Sequence, residues 1–274
     1  PPRRWARAVV LGGGHRAVGA GRCHSPASGG GAEEEGMAPP ICWSVEVRGL
    51  SQSSSFIICS LQGIVKDMKS LTPHLLLCSF FTSIAPALGE GFRNKRVAFI
   101  PTAAAHEEYT AYVDSARSSW KELGSNITDV DIARMPLRTA TEALEQAEII
   151  YLSGGNSFYL LDCLRSTEID QIIRGRLAEG AILVGESAGA IVCSPNIAYI
   201  QPMDRVPDNY SQADYTGLNL VDFFPVPHYL APPFVKSSKE VVAQHASLPL
   251  ELMNNAEAVI VEGPQRTKIS SEHQ

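Results

Sequence analysis

Several familiar signatures are missing from this chain. Its six cysteines stand apart at 23, 42, 59, 78, 163 and 193 with no CxxC pair, so a zinc ribbon is not expected. A chain of 274 residues can build its core without covalent staples, and the thiols are read as reduced, which places the protein in the cytoplasm. There is no long basic run, and the formal net charge is −6. That pattern argues against nucleic acid or an anionic membrane as partner. The longest apolar run, 75–88, is broken by Ser79, Thr82, Ser83 and Pro86. It falls short of the roughly 20 residues a bilayer needs and reads as a buried strand instead. No repeat of fixed period is visible.

What is present is ordinary globular material, 45% hydrophobic and 19% charged, with a change of character near residue 68. Residues 1–67 do not begin with Met. They carry Gly12-Gly13-Gly14, Gly29-Gly30-Gly31, Pro39-Pro40 and the charge run Glu33-Glu34-Glu35. Such composition buries too little apolar surface to offset ordering. The segment is therefore expected to be a low-complexity, disordered or mispredicted leader, with Met37 and Met68 as alternative starts. Five arginines before the first acid also resemble a transit peptide. Ala8-Val9-Val10-Leu11 before the Gly triplet imitates a dinucleotide fingerprint, and Glu33 stands about 20 residues on. The fingerprint needs a helix after its glycines, and Gly19, Gly21, Pro26 and Gly29 forbid one. No cofactor is expected.

Residues 68–274 read as one α/β domain. Apolar strands are predicted at 75–78, 96–100, 127–132, 148–152 and 181–184. Helices are predicted at 106–123, at 139–147 from a Thr139–Glu142 capping box, and at 156–164, 168–179 and 237–246. Strands alternating with amphipathic helices make a parallel sheet covered on both faces.

Ligands of such sheets bind beyond the carboxyl ends of the strands, and two strand ends here are unusual: Ser153-Gly154-Gly155-Asn156 and Gly185-Glu186-Ser187-Ala188-Gly189. The second matches G-x-S-x-G, in which a sharp strand-to-helix turn thrusts the serine out of the sheet. The following amide, Ala188, stands where an oxyanion would form. Gly155 is a second candidate donor, though Gly-Gly is more often only a turn. A serine nucleophile needs a base and an orienting acid. His228, in Pro225-Val226-Pro227-His228-Tyr229, sits at a strand-to-loop position; His245 reads as a surface helix residue, and His106 as polarity at a helix start. Asp204, Asp208, Asp214 and Asp222 are the acid candidates.

These residues resemble the aspartyl dipeptidase family (peptidase E, serine peptidase family S51). The resemblance runs from about Leu75 to Val261. It is carried by Phe99-Ile100-Pro101, Ala147-Glu148-Ile149-Ile150, Gly154-Gly155-Asn156-Ser157-Phe158, the Ser187 elbow, Cys193, and Asp222-Phe223-Phe224-Pro225 with Pro227-His228. It implies a doubly wound, mostly parallel sheet flanked by helices, like class I glutamine amidotransferases, and a Ser-His-Asp triad without metal. Ser187 matches the nucleophile, His228 the base and Asp204 the acid, with Asp208 left open; Gly155 and Ala188 match the oxyanion donors. The implied activity is hydrolysis of dipeptides with an N-terminal aspartate, by a monomer or homodimer whose partner is the small peptide. Arg134, Arg205 and Lys236 are candidates for the aspartate carboxylate. A cyanophycinase-like hydrolase and an inactive relic are the alternatives. The family continues with further strands after Glu262-Gly263-Pro264, where a polar tail, 267–274, is expected here. That makes the domain look truncated.

Overall fold

A computed structural model describes residues 74–271; the expected leader lies outside these residues. Seven strands form one sheet in the order β3-β2-β4-β5-β1-β8-β9. They are β1 (His74–Cys78), β2 (Arg96–Ile100), β3 (Asn126–Asp129), β4 (Ile149–Leu152), β5 (Ile182–Glu186), β8 (Glu257–Glu262) and β9 (Gln265–Ser270). The first five are mutually parallel, while β8 runs antiparallel to β1, and β9 to β8. Two short strands, β6 (Phe224–Val226) and β7 (Leu250–Leu252), pair in parallel beside it.

The central strands are apolar throughout because both faces are covered. Successive side chains of a strand point to opposite faces, and they feed two cores. Leu75, Leu77, Ala98, Ile100, Ile150, Leu152 and Leu183 face one side. There they meet α3 (Leu137–Gln146), α4 (Ser157–Ser166) and α5 (Ile169–Ala178) through Leu144, Phe158, Leu161 and Ile173. Leu76, Cys78, Val97, Phe99, Ile149, Tyr151 and Val184 face the other side. They meet α1 (Phe81–Ile84) and α2 (Ala111–Glu122) through Phe81, Ile84, Val113 and Trp120. Phe81 stacks on Trp120 with ring centroids 4.5 Å apart. Removing a fully buried ring of this kind typically costs about 3–5 kcal/mol.

Three details differ from the sequence reading. Helix α2 begins at Ala111, not at His106, because residues 102–104 first form a 3-10 turn that carries the chain off β2. Helix α3 starts behind Pro136, with Thr139 inside it, so the Thr139–Glu142 capping box does not form. The polar tail beyond Pro264 contributes β9, whose residues alternate polar and apolar poorly but complete six register pairs with β8. An edge strand tolerates this because its outer face and edge meet solvent. Two more helices, α6 (Ala188–Ile191) and α7 (Val235–Gln244), complete the fold.

Candidate active site

The carboxyl ends of β1, β4 and β5 meet at a cavity of about 590 Å³ that contains Ser187 and His228. Ser187 follows β5 directly and precedes α6, with φ 49° and ψ −106°. A non-glycine residue in that region is strained, and the surroundings hold it there. The Ser187 N–H donates to the Cys78 carbonyl at the end of β1 (2.9 Å), and its own carbonyl accepts from Ala190 and Ile191. The flanking glycines are sterically required. A methyl group on Gly185 would lie 2.5 Å from the Gly189 carbonyl oxygen, and one on Gly189 would lie 2.3 Å from that of Leu152. The helix thus packs straight onto the sheet behind the serine.

His228 Nε2 lies 3.0 Å from Ser187 Oγ. Its backbone N–H donates to Ser79 Oγ (3.1 Å), and Ser79 in turn donates to the Met253 carbonyl (2.8 Å). Phe234 stacks on the imidazole at 5.0 Å between centroids. Burial pulls the imidazole below its ordinary pKa, against an opposing hydrogen bond to Asn255. The ring is therefore neutral at pH 7, the state a general base requires.

The orienting group differs from the expectation. His228 Nδ1 faces Asn255 Oδ1 at 2.7 Å, so the third residue in line is an amide from the turn between β7 and β8. Asp204 is engaged elsewhere. Its Oδ2 accepts from the N–H (2.9 Å) and hydroxyl (2.5 Å) of Ser157, at the start of α4. A carboxylate is favoured at a helix N-terminus, and that role has taken Asp204. Loss of solvent nevertheless pushes its carboxyl up to about 6. Asp208 is exposed and pairs with Arg205 at 3.1 Å, while Asp214 pairs with Arg165 at 3.7 Å. Asp222 is exposed. No motif flags Asn255, since Asn residues in turns are commonplace; only the fold brings it to His228.

Gly155 turns with φ +132°, and a methyl group there would lie 2.2 Å from the Ala103 carbonyl oxygen. The Asn156 N–H donates to that same carbonyl (2.9 Å), and the Asn156 side chain caps α4 by accepting from the Tyr159 N–H (2.9 Å). The loop before α4 is thereby pinned beside the serine. Ala188 opens α6, so its N–H has no intrahelical acceptor.

Glu186 was passed over in the sequence as the x of G-x-S-x-G. Its side chain is 1% exposed and lines the cavity. It accepts from the Phe81 N–H (2.7 Å) and from the Tyr151 hydroxyl. Burial raises its pKa to about 7 despite those two donors. One carboxyl therefore ties the ends of β1, β4 and β5 together behind the nucleophile. Of the three cation candidates, Arg205 lines the cavity, whereas Arg134 and Lys236 do not. His106 packs edge-on against Tyr159, and His245 against Tyr199. Among the described residues no group of His, Cys, Asp and Glu side chains could hold a metal ion, and no helix is long and apolar enough to cross a membrane.

An α/β sheet with a serine elbow and an adjoining histidine is an arrangement suited to hydrolysis, and the chain's relatives are named as peptidases. Residues 76–269 match peptidase family S51. An uncharacterized peptidase of Listeria monocytogenes is 38% identical over 196 residues, 70% of this chain and 96% of that protein. An uncharacterized peptidase of Pasteurella multocida is 40% identical over 62% of this chain and 82% of its own. Peptidase E of Nostoc is 31% identical over 49% and 52%. A solved Listeria monocytogenes EGD-e structure, described as a peptidase E protein, superposes with TM-score 0.69 at 36% identity, covering 73% of this chain and 98% of that one. The chain belongs to peptidase family S51, and it is a peptidase hydrolase with the family's mostly parallel sheet.

Proposed function

We propose that the chain is a serine-type dipeptidase working through Ser187, His228 and Asn255. The observation that carries this reading is the 3.0 Å approach of His228 Nε2 to Ser187 Oγ at a strained elbow inside a cavity. Asn255 Oδ1 accepts a hydrogen bond from Nδ1–H, which leaves Nε2 unprotonated and free to take the serine proton. Ser187 Oγ attacks the peptide carbonyl, and the Gly155 and Ala188 N–H groups receive the oxyanion. The imidazolium then protonates the leaving amine, and water, deprotonated by His228, resolves the acyl-enzyme. An amide in the orienting position sets the tautomer but adds no charge to stabilise the imidazolium.

The cavity volume suits a dipeptide. A preference for N-terminal aspartate is supported by the relatives named peptidase E and rests on Arg205, the single cationic side chain lining the cavity among the described residues. Glu107, Glu186 and Asp204 line it too, and they favour a second reading: short peptides whose N-terminal residue is neutral or basic. The deciding experiment compares hydrolysis of Asp-Leu, Ala-Leu and Lys-Leu, with Ser187→Ala as control. Faster release from Asp-Leu supports the aspartyl reading, and faster release from the others supports the second. Turnover that survives Ser187→Ala would remove the serine mechanism altogether.

A further inference from the structure

Tyr112, on α2, carries a hydroxyl that neither the fold nor the mechanism above uses. Its oxygen is buried and has no hydrogen-bond partner among the described residues, yet the residue lines the cavity of Ser187 and His228. A methyl group built on Gly154 would stand 3.3 Å from Tyr112 Cε2 and 3.3 Å from Ser187 Cβ. Phenol and nucleophile therefore flank one glycine, in the turn that also presents Gly155. The other buried side-chain atoms without a partner among the described residues, on Thr82, Trp120 and Ser125, lie outside that cavity. An unpaired buried hydroxyl is a standing cost that phenylalanine would avoid, so its retention beside the nucleophile calls for a partner that arrives with the reaction.

The chemistry of that partner follows from the neighbours. Burial, and then the carboxylates of Glu107, Glu186 and Asp204, hold the phenol proton on at any working pH. A neutral phenol keeps a proton to donate, and the peptide offers carboxylate and carbonyl oxygens as acceptors for it. We propose that Tyr112 is a substrate-contacting residue whose phenol donates a hydrogen bond to a carboxylate or carbonyl oxygen of the peptide held against Ser187. This rests on the peptidase reading of the Ser187 site.

The test is Tyr112→Phe, which removes only the oxygen. The expected result is a fall of about tenfold or more in kcat/KM for the best dipeptide of the panel, with Tm unchanged or higher, because the hydroxyl makes no bond that folding would lose. Equal kcat/KM overturns the proposal. So does a loss of activity accompanied by a fall in Tm, which would make the hydroxyl structural. If the parent enzyme turns over none of the peptides, the peptidase reading fails and binding decides the Tyr112 proposal. Calorimetry then compares Ser187→Ala with Ser187→Ala/Tyr112→Phe on Asp-Leu, Ala-Leu and Lys-Leu. A Kd weakened about tenfold supports the contact, and an unchanged Kd or no binding overturns it.

Discussion

Replacing Asn255 by Asp is the sharpest perturbation of the proposed mechanism, because it changes the charge facing His228 Nδ1 while nearly preserving shape. In the parent, Nδ1 stands 2.7 Å from a neutral amide oxygen, and burial lowers the imidazole pKa below 6.5. The base acts when neutral, so kcat/KM rises with pH through that lowered value and is flat above it. A carboxylate at the same distance favours the imidazolium. Such a neighbour shifts a pKa by about 1–3 units, or about 1.4–4 kcal/mol. Part of that energy is available to the transition state, in which His228 takes up the serine proton. The Asn255→Asp limb is therefore expected about 1–3 units higher than the parent's, with a plateau raised severalfold (about 1 kcal/mol or more). The assay is kcat/KM between pH 5 and 10 on the best dipeptide. Glu186 and Asp204 titrate near 7 and 6, so the limb is assigned to His228 by its movement, not by its position. A limb that stays where it was would refute the assignment of Asn255 to His228.

Asp204→Asn tests the correction at that residue. Its bonds go to Ser157, so kcat should fall less than about tenfold, against about a thousandfold or more for His228→Ala; similar losses in steady-state assays would return Asp204 to the triad. Gly155→Ala forces a methyl group to 2.2 Å from the Ala103 carbonyl oxygen at φ +132°. The oxyanion loop must move, and kcat should drop by about 10²–10³, roughly 3–4 kcal/mol; stopped-flow acylation rates equal to the parent's would place the donor elsewhere. Glu186 is raised from 4.5 to about 7 in the folded state. Between those values the native protein holds a proton that the unfolded chain has released, so this group makes stability fall as pH rises from 4.5 to 7, by roughly 3 kcal/mol. Glu186→Gln should remove that slope in urea melts at pH 5 and pH 8, and an unchanged slope would sink the assignment.

Much of this molecule was legible because its signals are local. A run such as Val97-Ala98-Phe99-Ile100 is apolar because it lies between two helical layers, and that pattern needs no knowledge of its partners. The Ser187 elbow likewise belongs to five consecutive residues, and its Gly185 answers a clash with the next turn of chain at Gly189. His228 could be picked out because a histidine between a strand and a loop is exposed to the right edge of the sheet. The start of α2 was misplaced because periodicity does not register the 3-10 turn at 102–104. Strand β9 was missed because an edge strand with polar residues looks like a tail until β8 is beside it.

The third residue of the site belongs to a different kind of information. Asn255 is 27 positions from His228, in a turn fixed by the β6–β7 and β1–β8 pairings, and nothing in its neighbourhood of sequence marks it. Asp204 carried the expected chemistry, but the chain delivers it to the N-terminus of α4. Glu186 stood in plain view inside the elbow, yet its work depends on donors from Phe81 and Tyr151, on two separate segments. Local patterns select the strand, the turn and the nucleophile, since backbone sterics and burial act over a few residues. Which polar group faces which is decided by long-range strand pairing, because a hydrogen bond depends on distances of ångströms that sequence separation does not constrain.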